Sequence, residues 1–107
     1  MFERALSEAE LWIGEMRGVT LNDARVLVVR LEDGVCAYHD RCPHQGYPLS
    51  EGTLENGLLT CKVHGHSFDA ASGAGVNPQH PCLSTLPVRV EDGQVLVDLA
   101  SLRRAAP

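Results

Sequence analysis

Positive charge is scarce in this chain. Its 107 residues hold nine Lys and Arg against fourteen Asp and Glu, for a net charge of −5 with His neutral. The nine cations are scattered, so no basic stripe exists to neutralise phosphates, and nucleic acid is excluded as a partner. Long apolar runs are also missing. No window approaches the roughly 18 uncharged apolar residues of a membrane helix, and no basic segment leads into an apolar run near the start. A soluble, cytoplasmic protein with no membrane partner is expected. The length suits a single domain over residues 1–107 with a modest core, without room for a second, catalytic domain. Nothing marks an oxidising compartment, so the four cysteines are not read as two disulfides.

What remains is a succession of short strands. Ser7-Glu8-Ala9-Glu10 has the pattern of a capping box and predicts a helical turn within the first dozen residues. Gly14 to Val19 predicts a strand, Leu21-Asn22-Asp23 a turn, and Val26 to Leu31 a second strand. In that run Val26 and Val28 face one way, and Leu27, Val29 and Leu31 the other, which is the pattern of a central strand buried on both faces. Asp33-Gly34, Asn56-Gly57 and Asp92-Gly93 are tight-turn signals. They predict Val35 to Tyr38 as a return strand, a hairpin of Gly52 to Leu54 with Leu58 to Thr60, and a last hairpin of Leu86 to Val90 with Val95 to Leu99. His66 to Asp69 reads as a short strand, residues 70–75 as a small-residue turn, Asn77 to Pro81 as a proline-stiffened loop, and Ser101 to Pro107 as a frayed tail. Many short strands at about ten-residue spacing argue an all-β sandwich or barrel.

Two of the loops carry chemistry. Cys42-Pro43-His44 and Cys61-Lys62-Val63-His64 offer two thiolates and two imidazoles, with residues 45 to 60 between them. Zinc fingers pair like with like in each half, as C-x₂₋₄-C and H-x₃₋₅-H, whereas here each half is mixed. A mixed half makes sense where each loop sends one ligand to each of two metals, with two cysteines on one iron and two histidines on the other. A structural zinc site built from the same four side chains is the alternative. Cys36, in the apolar run Val35 to Tyr38, reads as a small buried hydrophobe, and Cys82 as a free packed thiol. His39 and His66 read as surface or packing residues. Pro43 fixes φ between Cys42 and His44, and Gly46 and Gly65 suit close backbone approach or positive φ.

The pattern C-x-H, a gap of sixteen residues, then C-x-x-H resembles the ligand set of Rieske proteins. Ser50-Glu51-Gly52, Leu59-Thr60-Cys61, Phe68, Gly73, Gly75, Asn77-Pro78 and Leu86-Pro87-Val88 extend the likeness to the small Rieske ferredoxins of bacterial aromatic-ring oxygenases. With Leu11-Trp12-Ile13-Gly14-Glu15-Met16 and the stretch to Val97 included, it is most similar to those of toluene 4-monooxygenase systems. The resemblance implies a [2Fe-2S] cluster held by Cys42, His44, Cys61 and His64, and a base β-sandwich with a cluster-binding subdomain inserted at about residues 40–81. It places Gln45, Gly46 and Tyr47 at an exposed tip, with His80 and Pro81 on its far side.

The resemblance also implies a role. The chain would be a monomeric one-electron carrier, not an enzyme, meeting a flavin-containing NADH-dependent reductase and a terminal aromatic monooxygenase in transient complexes. A ferredoxin serving a Rieske ring-hydroxylating dioxygenase is the nearest alternative. The Rieske domain of an oxygenase shares the ligand motif but needs a mononuclear iron in a large second domain. Rieske potentials lie at roughly −150 to +300 mV, against about −400 mV for plant-type four-cysteine centres. In the respiratory proteins a disulfide braces the two loops; its positions are matched here by Tyr47 and Val63, and a serine that donates to cluster sulfur is matched by His66. Both departures imply the low end of that range. The acidic surface would suit basic docking patches on redox partners, where charge raises the association rate more than the affinity.

Overall fold

The computed structural model describes residues 2–43, 46–63, 65–79 and 81–100. Eleven strands form three antiparallel sheets among these residues: β1 (Phe2–Ser7), β2 (Glu15–Leu21), β3 (Ala24–Leu31), β4 (Gly34–His39), β5 (Thr53–Glu55), β6 (Leu58–Thr60), β7 (Ser67–Asp69), β8 (Gly75–Asn77), β9 (Thr85–Leu86), β10 (Val88–Glu91) and β11 (Gln94–Asp98). The sheet orders are β1-β11-β10, β2-β3-β4-β9 and β5-β6-β7-β8. The third sheet is inserted, because all its strands fall between β4 and β9, which pair with each other through Ala37↔Leu86 and Tyr38↔Thr85.

Strand β3 is the hub. Val26, Leu27, Val28 and Val29 are all completely buried. Val26 and Val28 join Leu6, Ala37, Leu86, Val95, Val97 and Leu99 in a core shared by the first two sheets. Leu27 and Val29 join Tyr38, Leu49, Leu59 and Phe68, with Cys42 and Cys61, in a core shared with the inserted sheet. The alternation expected of this strand is therefore real, and each face serves a different neighbour. Burial of four such side chains contributes about 1.5–3 kcal/mol apiece.

The turn signals hold. Asn56-Gly57 and Asp92-Gly93 have positive φ at both residues, as does Asn22-Asp23, the geometry whose twist matches a two-residue hairpin. After β3 the register closes at Leu31↔Gly34, so the loop residues are Glu32 and Asp33 and Gly34 opens the return strand. Three expectations need correction. Gly75 and Asn77, expected in a turn and a loop, belong to strand β8, which pairs with β7. The first dozen residues contain a strand, Phe2–Ser7, ahead of the 3-10 turn Glu8–Glu10. Its register against β11 shifts between Arg4 and Leu6, and that bulge breaks the period-two pattern that marks a strand. The run Leu86 to Val90 is not one strand. Pro87 lies between β9, which belongs with β4, and β10, which belongs with β11, and a residue without an N–H suits the point where the chain changes sheets. The tail at 101–107 lies outside the described residues.

Side-chain contacts fasten the insertion to the base. The buried Tyr38 hydroxyl donates to the Ala70 carbonyl at 2.6 Å, and burial, with Cys36 beside it, pushes the phenol pKa up. The Asp40 N–H donates to the Arg25 carbonyl at 3.0 Å. The Asp40 carboxylate accepts from the Ser50 N–H at 2.8 Å and from its hydroxyl at 2.7 Å, closing residues 40–50 into one loop. Strand β2 crosses this staple so closely that a Cβ on Gly18 would lie 2.6 Å from the Asp40 carboxylate. A Cβ on Gly52 would lie 2.0 Å from the Thr60 carbonyl oxygen.

Gly52→Ala must therefore move β5 away from β6 and is expected to lower stability by about 1–3 kcal/mol. Gly57→Ala meets open space and suffers only from φ +77°, at about 1 kcal/mol. Denaturant midpoints that rank Gly57→Ala as the worse would refute the close approach. Asp40→Asn keeps one acceptor oxygen and puts an amide donor in place of the other, facing Ser50; a loss of about 1–3 kcal/mol is expected, read in the same unfolding measurement.

Candidate metal centre

The two loops that the sequence singles out begin alike. The Cys42 N–H donates to the Tyr47 carbonyl at 2.7 Å, and the Gly46 N–H donates back to the Cys42 carbonyl at 2.7 Å. The Cys61 N–H donates to the His66 carbonyl at 2.8 Å, and the Gly65 N–H to the Cys61 carbonyl at 3.1 Å. Each cysteine thus has its N–H bound to the residue five ahead and its carbonyl to the residue four ahead. Each turn closes through a glycine of positive φ, +76° at Gly46 and +69° at Gly65, a conformation that costs an L-residue about 1–2 kcal/mol. Strand β4 and the Asp40–Ser50 staple position the first loop. The second connects β6 to β7, whose register is Thr60↔Ser67.

Both cysteines are 1 % exposed and lie in the same core beside Leu49, Leu59 and Phe68. Two thiols from separate loops, brought dry into one cluster of side chains, are a donor set that suits iron–sulfur ligation. His44 and His64, the other expected ligands, lie outside the described residues, as do Gln45 and His80. Tyr47 departs from its expected place at an exposed tip. It is half-buried and packs on the core, its hydroxyl 3.5 Å from the Glu51 carboxylate. Pro81 is exposed.

The remaining cysteines stand apart. Cys36 is half-buried, with its sulfur 3.5 Å from the Ala71 carbonyl. Cys82 is exposed, contrary to its expected packing. His39 is half-buried beside the first loop, and burial first, then the Arg41 guanidinium, holds its pKa below the ordinary imidazole value. Sequence reasoning missed Gly18 and Asp40. A glycine in the interior of a strand is a signal of close backbone approach, but nothing local says which residue approaches it.

Among the described residues no helix is long and apolar enough to cross a membrane. Residues 2–88 match the family model of the Rieske [2Fe-2S] domain. The chain is 43 % identical over 89 residues to the ferredoxin component of the alkene monooxygenase system of Xanthobacter autotrophicus, covering 82 % of this chain and 73 % of that protein. It is 27 % identical over 97 residues to the ferredoxin component of the naphthalene 1,2-dioxygenase system of Pseudomonas putida, covering 90 % and 93 %. The fold superposes with a TM-score of 0.81 at 30 % identity on a chain from the complex of reduced oxygenase and oxidized ferredoxin in carbazole 1,9a-dioxygenase, covering 90 % of this chain and 91 % of that one. These likenesses bear out the expected all-β Rieske fold and give no support to the zinc module. The chain belongs to the Rieske [2Fe-2S] domain family and is an electron-transferring ferredoxin that carries a [2Fe-2S] cluster.

Proposed function

We propose that Cys42 and Cys61 bind one iron of the cluster and His44 and His64 the other, within a subdomain of about residues 40–81 of a single domain. The observation that carries this reading is the matched backbone turn around two buried cysteines in separate loops. When bound, a [2Fe-2S] cluster supplies a site for one electron at a time. The chain's own work is to hold the ligands. The glycines at 46 and 65 let each loop close on itself, the Asp40–Ser50 staple fixes the root of the first loop, and the shared core keeps water from the cysteine side.

The protein acts as a monomer in the cytoplasm. It takes electrons from a flavin-containing NADH-dependent reductase and delivers them to the terminal oxygenase of a multicomponent system. A monooxygenase is the favoured acceptor, because identity to the alkene monooxygenase ferredoxin, at 43 %, exceeds the 27 % to the naphthalene dioxygenase ferredoxin and the 36 % to the anthranilate 1,2-dioxygenase ferredoxin; that it is an aromatic one rests on the sequence resemblance. The matched run at Leu11 to Met16 gives weaker support. Trp12 and Ile13 within it are 75 % and 57 % exposed, so core packing does not explain their presence. A Rieske dioxygenase is the second reading for the acceptor.

Alanine at any one of Cys42, His44, Cys61 or His64 is expected to remove the visible absorption of the cluster and the signal of the reduced protein. Cys36→Ser and Cys82→Ser are expected to keep both, and loss of the cluster in either would transfer ligand status to that residue. For the acceptor, the reduced protein is to be mixed with a purified aromatic monooxygenase and, separately, with a Rieske dioxygenase from the same organism. Reoxidation coupled to product formation is expected with the monooxygenase, and coupling to the dioxygenase alone would reassign the acceptor.

A further inference from the structure

The seven Lys and Arg among the described residues divide into two groups that the sequence does not distinguish. Arg4 and Arg17 pair with Glu10 at 3.8 and 3.7 Å, Arg30 with Glu8 at 3.9 Å, and Arg89 with Glu91 at 2.7 Å. Arg25, Arg41 and Lys62 are exposed and have no ion-pair partner among the described residues. These three surround the ligand loops. Arg41 directly precedes Cys42 and Lys62 directly follows Cys61. The Arg41 guanidinium lies over the first loop, where a Cβ on Gly46 would be 3.0 Å from its Nε. Arg25 and Arg41 line one groove of about 260 Å³ with His39, Asp40 and Gly46. Lys62 lines another, of about 420 Å³, with Cys61, Gly65, Thr60 and Glu51.

Two carboxylates share these grooves. Asp40 is buried and both its oxygens are taken by Ser50. Glu51 is exposed beside the Tyr47 hydroxyl and is the single exposed carboxylate among the described residues lining the two grooves and the neighbouring one along β2. The paired cations lie elsewhere. Arg30 stands five residues from Arg25 along β3, roughly 16 Å at strand rise, and Arg89 is on β10, in the β1-β11-β10 sheet.

We infer that the face around the Cys42 and Cys61 loops is a cationic docking surface, on which Arg25, Arg41 and Lys62 receive carboxylates of the terminal oxygenase. The inference rests on the proposed cluster ligands, and it reverses the expectation that net charge alone gives for the docking face. A cation without an internal partner gives up no existing pair on docking, and its field adds to the association rate by steering. Surface pairs of the Arg89–Glu91 kind are already satisfied and offer little to a partner.

The first test reads the charge at the electron's exit. One electron passes from the reduced protein to hexacyanoferrate(III), an anion, or to tris(phenanthroline)cobalt(III), a cation. As salt is raised from about 10 to about 300 mM, which shortens electrostatic reach, the anion's rate is expected to fall and the cation's rate to rise or stay level. In Arg41→Glu and Lys62→Glu, with visible spectra unchanged, the anion's rate at low salt is expected to drop by about tenfold; Arg89→Glu leaves it as it was. A low-salt advantage for the cation in the starting protein would overturn the inference.

The second test identifies the partner's chemistry. Carbodiimide coupling of the holoprotein to the terminal oxygenase purified from the same organism activates carboxylates and joins them to amines. Cross-links from Lys62 to aspartates or glutamates of the oxygenase, lost in Lys62→Gln, are expected. Cross-links running only from carboxylates of this chain to oxygenase lysines would overturn the docking assignment. Failure of the ligand reading is separately visible, as a cluster spectrum that survives Cys42→Ala or Cys61→Ala.

Discussion

The structure depends on keeping two cysteines dry at the root of loops that must reach the surface. Apolar packing alone would bury the thiols but leave the turning backbone unsatisfied, at a cost of about 1–3 kcal/mol for each orphaned group. The reciprocal bonds around Cys42 and Cys61 meet this constraint, because closure falls to the main chain, with N–H to the fifth residue and carbonyl to the fourth. Gly46 and Gly65 make that closure geometrically open to the chain. Both cysteines can then lie among Leu49, Leu59 and Phe68 while Pro43, Lys62, Val63 and Gly65 beside them are exposed.

Burial on two sides is what β3 contributes. An ordinary sandwich strand has one face in the core and one in water. Here Val26 and Val28 close the base sandwich while Leu27 and Val29 close the core that holds the cysteines. The insertion is therefore not an appendage on a loop. The one strand that stabilises the base with two of its side chains stabilises the cysteine side with the alternate two, and Tyr38 and Asp40 at the end of the neighbouring strand tie the two together through Ala70 and Ser50.

Much of this was legible in the sequence, and the limits have physical causes. The run at residues 26–31 announced a doubly buried strand because β geometry has a period of two. Asn56-Gly57 and Asp92-Gly93 announced hairpins because few residues accept positive φ at adjacent positions. The strand Phe2–Ser7 is hidden because a bulge spoils its alternation, and the run across Pro87 looks like one strand because periodicity does not record which sheet a residue joins. At the site, the mixed C-x-H and C-x-x-H spacing was readable because ligand chemistry fixes residue types. The clamp of Gly18 on Asp40 and Ser50 was not, since it joins residues on separate segments that meet only in the folded chain.

Charge shows the same limit most clearly. A net charge of −5 describes the far field of the molecule, but a partner at contact distance feels the nearest unpaired groups. With a screening length of about 8 Å at physiological salt, carboxylates one strand length away contribute little at the ligand loops. Arg4, Arg17, Arg30 and Arg89 pair locally with Glu8, Glu10 and Glu91, with Glu10 shared by Arg4 and Arg17, so most of that charge cancels where it lies. Among the described residues, the charge left exposed near Cys42 and Cys61 is that of Arg25, Arg41, Lys62 and Glu51. An acidic protein can therefore present a cationic face, and the sign of that face follows from which residues the fold pairs, which no count of charges along the chain contains.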